Sequence, residues 1–114
     1  MRLLEKLITI LSDIGVPVET GLFSGQAPNQ YIVLIPMTST YELYADNLPK
    51  QDVEDVRISV YSKSNYLNLK RRLESKLLEN GLTITERRYI GFEKESEYHH
   101  FTIDVANHYT IEEE

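Results

Sequence analysis

Apolar residues along this chain recur with two different periods, and the points where the period changes leave few folds open. Leu3, Leu4, Leu7, Ile8, Leu11 and Ile14 follow the three-and-four spacing of an amphipathic helix. Gly15 is expected as the residue just past its end, and Pro17 prevents continuation. The same period returns at Tyr66, Leu69, Leu73 and Leu77, with Leu67 and Leu78 widening the stripe. Ser64 or Asn65 is placed to cap that second helix, and Asn80-Gly81 to close it.

Elsewhere the period is two. Tyr31–Ile35 is a β-branched and aromatic run, and Pro36 is expected to end it or to put its end at a sheet edge. Val56–Tyr61 alternates strictly, with Ile58 and Val60 inward and Arg57, Ser59 and Tyr61 on the other face. Leu82 to Ile90 and Tyr98 to Tyr109 read as a hairpin across the turn Glu93–Glu97, with Phe101, Ile103 and Val105 on one face and His100, Thr102 and Asp104 on the other. Val16–Phe23 reads as a short extended piece, 24–30 as a polar loop, and Thr38–Gln51 as an irregular region with a turn at 45–49. In that region Tyr41 and Leu43 alternate with polar residues, as a partial strand would. The acidic run Asp52, Glu54, Asp55 reads as a solvated turn before Val56. This order predicts an α+β fold: a central antiparallel or mixed sheet of about four to five strands with both helices on one face. At 114 residues the chain is expected to be one domain, with an ordered core over 1–110 and a tail, 111–114, that has little to bury.

Composition removes several chemistries. The absence of cysteine excludes disulfide frameworks, thiolate zinc sites, iron–sulfur clusters and cysteine nucleophiles. Charged residues interrupt the first apolar stretch, and no apolar run approaches the ~18 residues of a membrane span, so a soluble, cytoplasmic protein is expected. His99 and His100 point to opposite faces of a strand, while His100 and His108, on one face, are ~27 Å apart. Neither pair can share a metal. Asp52, Glu54 and Asp55 could hold Mg²⁺ as nucleases do, but no companion Asp/Glu–x–Lys motif accompanies them. No serine sits in a G-x-S-x-G setting, and Gly21 and Gly25 form no phosphate-cradling loop. The eight tyrosines, against three phenylalanines, suit partly wet surfaces such as interfaces.

The charge is segregated. Residues 1–56 hold three bases against eight acids, 57–91 eight bases against three acids, and 92–114 one base against seven acids. A basic arc is expected from Lys70, Arg71, Arg72, Lys76, Arg87 and Arg88. Tyr66 and Tyr89 beside it suggest single-strand binding, but Tyr66 belongs to the apolar face and the net charge of −6 opposes general nucleic-acid affinity. Opposite-sign regions in one chain suit docking between copies. Arg71, Arg72, Lys76, Arg87 and Arg88 of one copy would then meet Glu42, Asp46, Asp52, Glu54 and Asp55 of the next.

Over essentially its full length the chain resembles the tail-completion, or tail-terminator (head–tail joining), proteins of long-tailed bacteriophages and prophages. The resemblance rests on the first helix ending near Gly15-Val16-Pro17-Val18, the polar loop to Tyr31-Ile32-Val33, the stretch Tyr44-Ala45-Asp46-Asn47-Leu48-Pro49, the strand Val56–Lys63 feeding the helix Asn65–Asn80, and the final strand Tyr98-His99-His100-Phe101-Thr102-Ile103. It implies a non-enzymatic ring, typically a homohexamer, that caps the tail tube, stops its polymerisation and meets the head. The implied partners are further copies, the tail-tube protein and the head-completion protein. DNA would pass without being read, and no cofactor, metal or membrane would be involved. The implied location is the bacterial host cytoplasm during assembly and then the virion's tail–head junction. A head–tail adaptor or other α+β protein-binding module is the alternative, and a Mg²⁺-dependent nuclease using Asp52 and Asp55 a third.

Overall fold

In a computed structural model, which describes residues 2–22, 25–42, 48 and 51–110, the chain forms a five-stranded mixed sheet with two helices. The elements run α1 (Leu3–Leu11), β1 (Val18–Thr20), β2 (Gln30–Glu42), β3 (Gln51–Ser62), α2 (Tyr66–Glu79), β4 (Thr83–Glu93) and β5 (Tyr98–Thr110). The sheet order is β1-β2-β3-β5-β4; β1 lies parallel to β2 and every other pair is antiparallel. Strands of 12 or 13 residues span ~40 Å, which makes the molecule 54 Å long and 24 Å across.

Both helices pack on one face, as the sequence predicts. Leu3, Leu7, Leu11, Leu69, Leu73 and Leu77 are fully buried against Ile32, Ile58, Val60 and Ile103, with Leu34, Val56, Phe101 and Val105 completing the layer. Burying a Leu or Ile side chain contributes about 1.5–3 kcal/mol, so this single layer is the main source of cohesion.

The boundaries of α2 follow from its caps. Asn65 Oδ1 accepts from the Asn68 amide at 3.1 Å, which selects Asn65 over Ser64 as the N-cap. At the other end the Gly81 amide donates to Leu78 O and the Leu82 amide to Leu77 O, both at 3.1 Å. That paired arrangement requires the left-handed φ of +75° at Gly81.

Three expectations are corrected. Helix α1 ends at Leu11, not at Ile14–Gly15. Ser12 turns its hydroxyl onto the Thr9 carbonyl at 2.8 Å, and α2 takes the next residues in hand: Lys76 Nζ lies 2.5 Å from Asp13, and Arg72 donates to the Ile14 carbonyl. Ile14 still joins the core. Second, β2 continues through Pro36 to Glu42 across a bulge at Met37. The Ile32 amide and the Leu34 carbonyl bond toward the β1 side, so the missing N–H of Pro36, two residues on, faces the same way, past the end of β1, and costs the β3 ladder nothing. Third, Asp52, Glu54 and Asp55 lie inside β3, and Thr38–Glu42 pairs with Gln51–Asp55 as strand. Tyr41 is thus in β2, whereas Leu43, most of the expected turn at 45–49 and the tail 111–114 lie outside the described residues.

Candidate self-association surface

Sheet register sorts the charged residues onto two faces, and the basic arc divides into three places. On α2 a step of 100° per residue puts Arg72 and Lys76 on the flank toward α1, where they hold Ile14 and Asp13 as described. The Lys76 ammonium keeps the Asp13 carboxyl below its ordinary pKa. With Arg71 they line a shallow cavity of about 360 Å³ that also contains Ser75 and Glu79. The opposite flank looks over β4. There Glu74 Oε1 accepts from Arg87 at 3.1 Å and lies 3.8 Å from Lys70. Arg88 follows Arg87 in the strand and therefore points through the sheet to the other face, where it pairs with Glu86 at 2.5 Å.

The acidic set divides by the same parity. Asp52 and Glu54 face the helices and are held by Arg2, whose Nε is 3.2 Å from Glu54 and whose guanidinium lies over the Tyr109 ring. Asp52, the principal hydrogen-bond partner, raises the Arg2 pKa. Asp55 is on the other face and accepts from Thr38 Oγ1 at 2.8 Å. Glu42 is the last residue of β2, opposite Gln51, and Asp46 lies outside the described residues. Asp52 and Asp55 therefore point to opposite sides of the sheet and cannot share one ion. Among the described residues, no group of three His, Asp or Glu side chains is placed to hold a metal.

The sheet face away from the helices carries an aromatic row that residue periodicity alone did not reveal. Tyr31 on β2, Tyr61 on β3 and His100 on β5 are cross-strand neighbours, and their rings stack with centroids 4.7 and 4.2 Å apart. Tyr98 meets Tyr31 and Tyr61 edge-on, and Lys63 lies over the Tyr98 ring. Ser59 Oγ is 2.7 Å from His100 Nε2. Desolvation lowers the His100 pKa, outweighing the opposing pull of Glu93. Beside the row, Arg57 makes a two-pronged pair with Asp104 at 2.9 and 3.1 Å. Large side chains thus shield the small ones between them: Val33, Ser59 and Thr102 are buried although no described helix covers this face. The signal was the parity of Tyr61 and His100; the pairing register that aligns them was missing.

The β4 edge is the second exposed region. Tyr89, Ile90 and Phe92 are each about half exposed. On the helix side Tyr66, Tyr89 and Phe92 gather around His99, with ring centroids 4.6 Å from Tyr66 and 4.8 Å from Phe92, and Tyr89 Oη is 2.9 Å from His99 Nδ1. A groove of about 230 Å³ runs between α2 and β4, lined by Tyr66, Leu67, Lys70, Arg87 and Tyr89 among others. Among the described residues no helix is long and apolar enough to cross a membrane. Comparison of the chain with protein-family models and with curated proteins finds no match.

Proposed function

We propose that this chain is a non-enzymatic virion assembly protein whose copies form a ring that caps a phage tail tube, ends its polymerisation and joins the tail to the head. The observation that carries this reading is the open sheet. The sheet face away from the helices carries an aromatic row that no described helix covers, and the β4 edge strand leaves three large apolar residues about half exposed. Both suit a subunit that is completed by its neighbours. The resemblance to tail-completion proteins supplies the kind of assembly. Further copies, the tube protein and the head-completion protein are the partners in this reading, and the ring sits at the tail–head junction of the virion after assembly in the host cytoplasm.

The test is capping. Purified protein added to growing tail tubes of the phage or prophage that encodes it is expected to stop elongation and to appear in electron micrographs as a ring at one end. Tubes that lengthen unchecked overturn the reading. The open surfaces also fit a head–tail adaptor or another protein-binding module, which would bind the head side and leave tube growth unaffected.

A further inference from the structure

Two leucines of α2 are exposed for a reason visible in the sheet beneath them. Leu67, Lys70, Glu74 and Leu78 recur at helical spacing on one flank, and the bond from Glu74 to Arg87 shows that this flank overlooks β4. Leu67 is 49% exposed and Leu78 61%. Among the described residues the sheet stops at β4, so the ground over which these side chains project is where a further strand would lie. Among the described residues β4, 11 residues long, has no strand on its outer side. Its two bulges, at Thr85 and Ile90, and its run Glu86-Arg87-Arg88 blunt indiscriminate pairing.

The charges select the kind of strand that fits. Lys70 and Arg87 border the groove beside Glu74, and Arg88 with Glu86 lies on the other face of the same edge strand. Antiparallel pairing of β4 with another β4 about the midpoint of Glu86–Tyr89 would set Arg87 against Arg88. The other free edge of the same sheet is opposite in character. Past Leu34, β2 has no neighbour on its outer side among the described residues, and from Thr38 its backbone is past Pro36 and the bulge. Neither Thr38–Glu42 nor its partner stretch Gln51–Val56 contains a base, while together they hold Glu42, Asp52, Glu54 and Asp55. Beta-2 runs antiparallel to β4 in the sheet, so a copy continuing the sheet presents it in the right direction.

We propose that the groove between α2 and β4 receives the free edge of β2, residues Thr38–Glu42, from a second copy of this chain. Pairing is head-to-tail: one edge is used by each neighbour, so the contact repeats around an assembly instead of ending at a dimer. Thr83 is level with Thr38 through Ala106 and Asp55, and the rest of β4 runs the other way along the sheet. Successive copies are therefore staggered along the strands, as tilted strands are in a closed barrel. Leu67, Leu78 and Tyr89 become covered, and Arg87 and Arg88 come beside a strand edge that carries no base. The proposal rests on the ring reading only in taking the partner to be a second copy.

The absence of native cysteine makes the test clean. Variants Ile90→Cys and Ser39→Cys, each shown to melt like the parent chain, are treated with a short bis-maleimide alone and as a mixture. The expected result is a cross-linked pair in the mixture in excess of either variant alone, lost when Arg87→Glu and Arg88→Glu are added to the Ile90→Cys chain. Equal cross-linking of Ile90→Cys with itself would show β4–β4 pairing and overturn the proposal. So would a mixture that links no faster than one in which Glu79→Cys, on the opposite flank of α2, replaces Ile90→Cys. Failure here in a protein that still caps tubes removes this contact and leaves the ring; cross-linking in a protein that does not cap removes the ring and leaves the contact.

Discussion

Leu73 and Leu78 lie on the same helix five residues apart, and truncating each tests whether one flank of α2 is free. Leu73 is wholly buried in the layer between helix and sheet, whereas Leu78 keeps 61% of its surface in solvent. Leu73→Ala loses the transfer energy of the removed atoms and leaves a cavity between α2 and the sheet, a cost of about 2–5 kcal/mol. At about 4 °C per kcal/mol for a chain of this size, a mid-range loss lowers the melting temperature by about 12–15 °C. Leu78→Ala removes atoms that touch mostly water, and Ala has the better helix propensity, so the free chain is expected to change by less than about 0.5 kcal/mol. Urea melts at low protein concentration and high salt read the isolated chain. Comparable destabilisation by the two substitutions would refute the placement of Leu78 on an open flank, and with it the argument for a missing strand. If copies associate as proposed, Leu78→Ala is expected to weaken that association although it leaves the free chain intact.

Other expectations follow from the caps and the aromatic row. Asn65→Ala removes the side-chain acceptor of the Asn68 amide and is expected to cost about 1 kcal/mol in a urea melt, with Asn65→Ser recovering most of it. Gly81→Ala meets no steric obstacle in space, yet it forces a side chain into a left-handed φ; a loss of about 1 kcal/mol is expected, and an unchanged melt would contradict the C-terminal turn described. His100 has a folded pKa below its unfolded value of 6.5. The unfolded chain therefore takes up the proton first on acidification, so this group's contribution is complete above pH 6.5 and declines as pH falls below it, toward the folded pKa. His100→Gln is expected to flatten that part of the stability–pH curve, and an identical slope in the variant would show that other groups carry it.

Much of the fold was readable because apolar period and burial coincide. Leu69, Leu73 and Leu77, and Phe101, Ile103 and Val105, are buried where periodicity put them. The misjudged stretches are those in which tertiary partners override a local signal. Pro36 signals an end in isolation, but its lost donor matters only on the side where β1 has already stopped. Asp52 and Glu54 look like a solvated turn until Arg2, fifty residues away in sequence, is brought to them. The charged surface was legible as composition and illegible as geometry: consecutive Arg87 and Arg88 read as one patch, while strand parity sends them to opposite faces. The aromatic row needed a cross-strand register, which no single segment encodes.

The position of β5 bears on when, during synthesis, this protein can exist as a folded object. Beta-5 follows every other strand in sequence but lies between β3 and β4 in the sheet. Until Tyr98–Thr110 has left the ribosome, β3 has one unpaired side, β4 has no partner, and α2 lacks the Phe101, Ile103 and Val105 surface. Helices can form early, but the layer that holds them assembles only after translation of the last strand, through contacts distant in sequence that close slowly. Incomplete chains therefore have no finished sheet to offer a neighbour. In the proposed ring, subunits would thus join only as whole folded molecules.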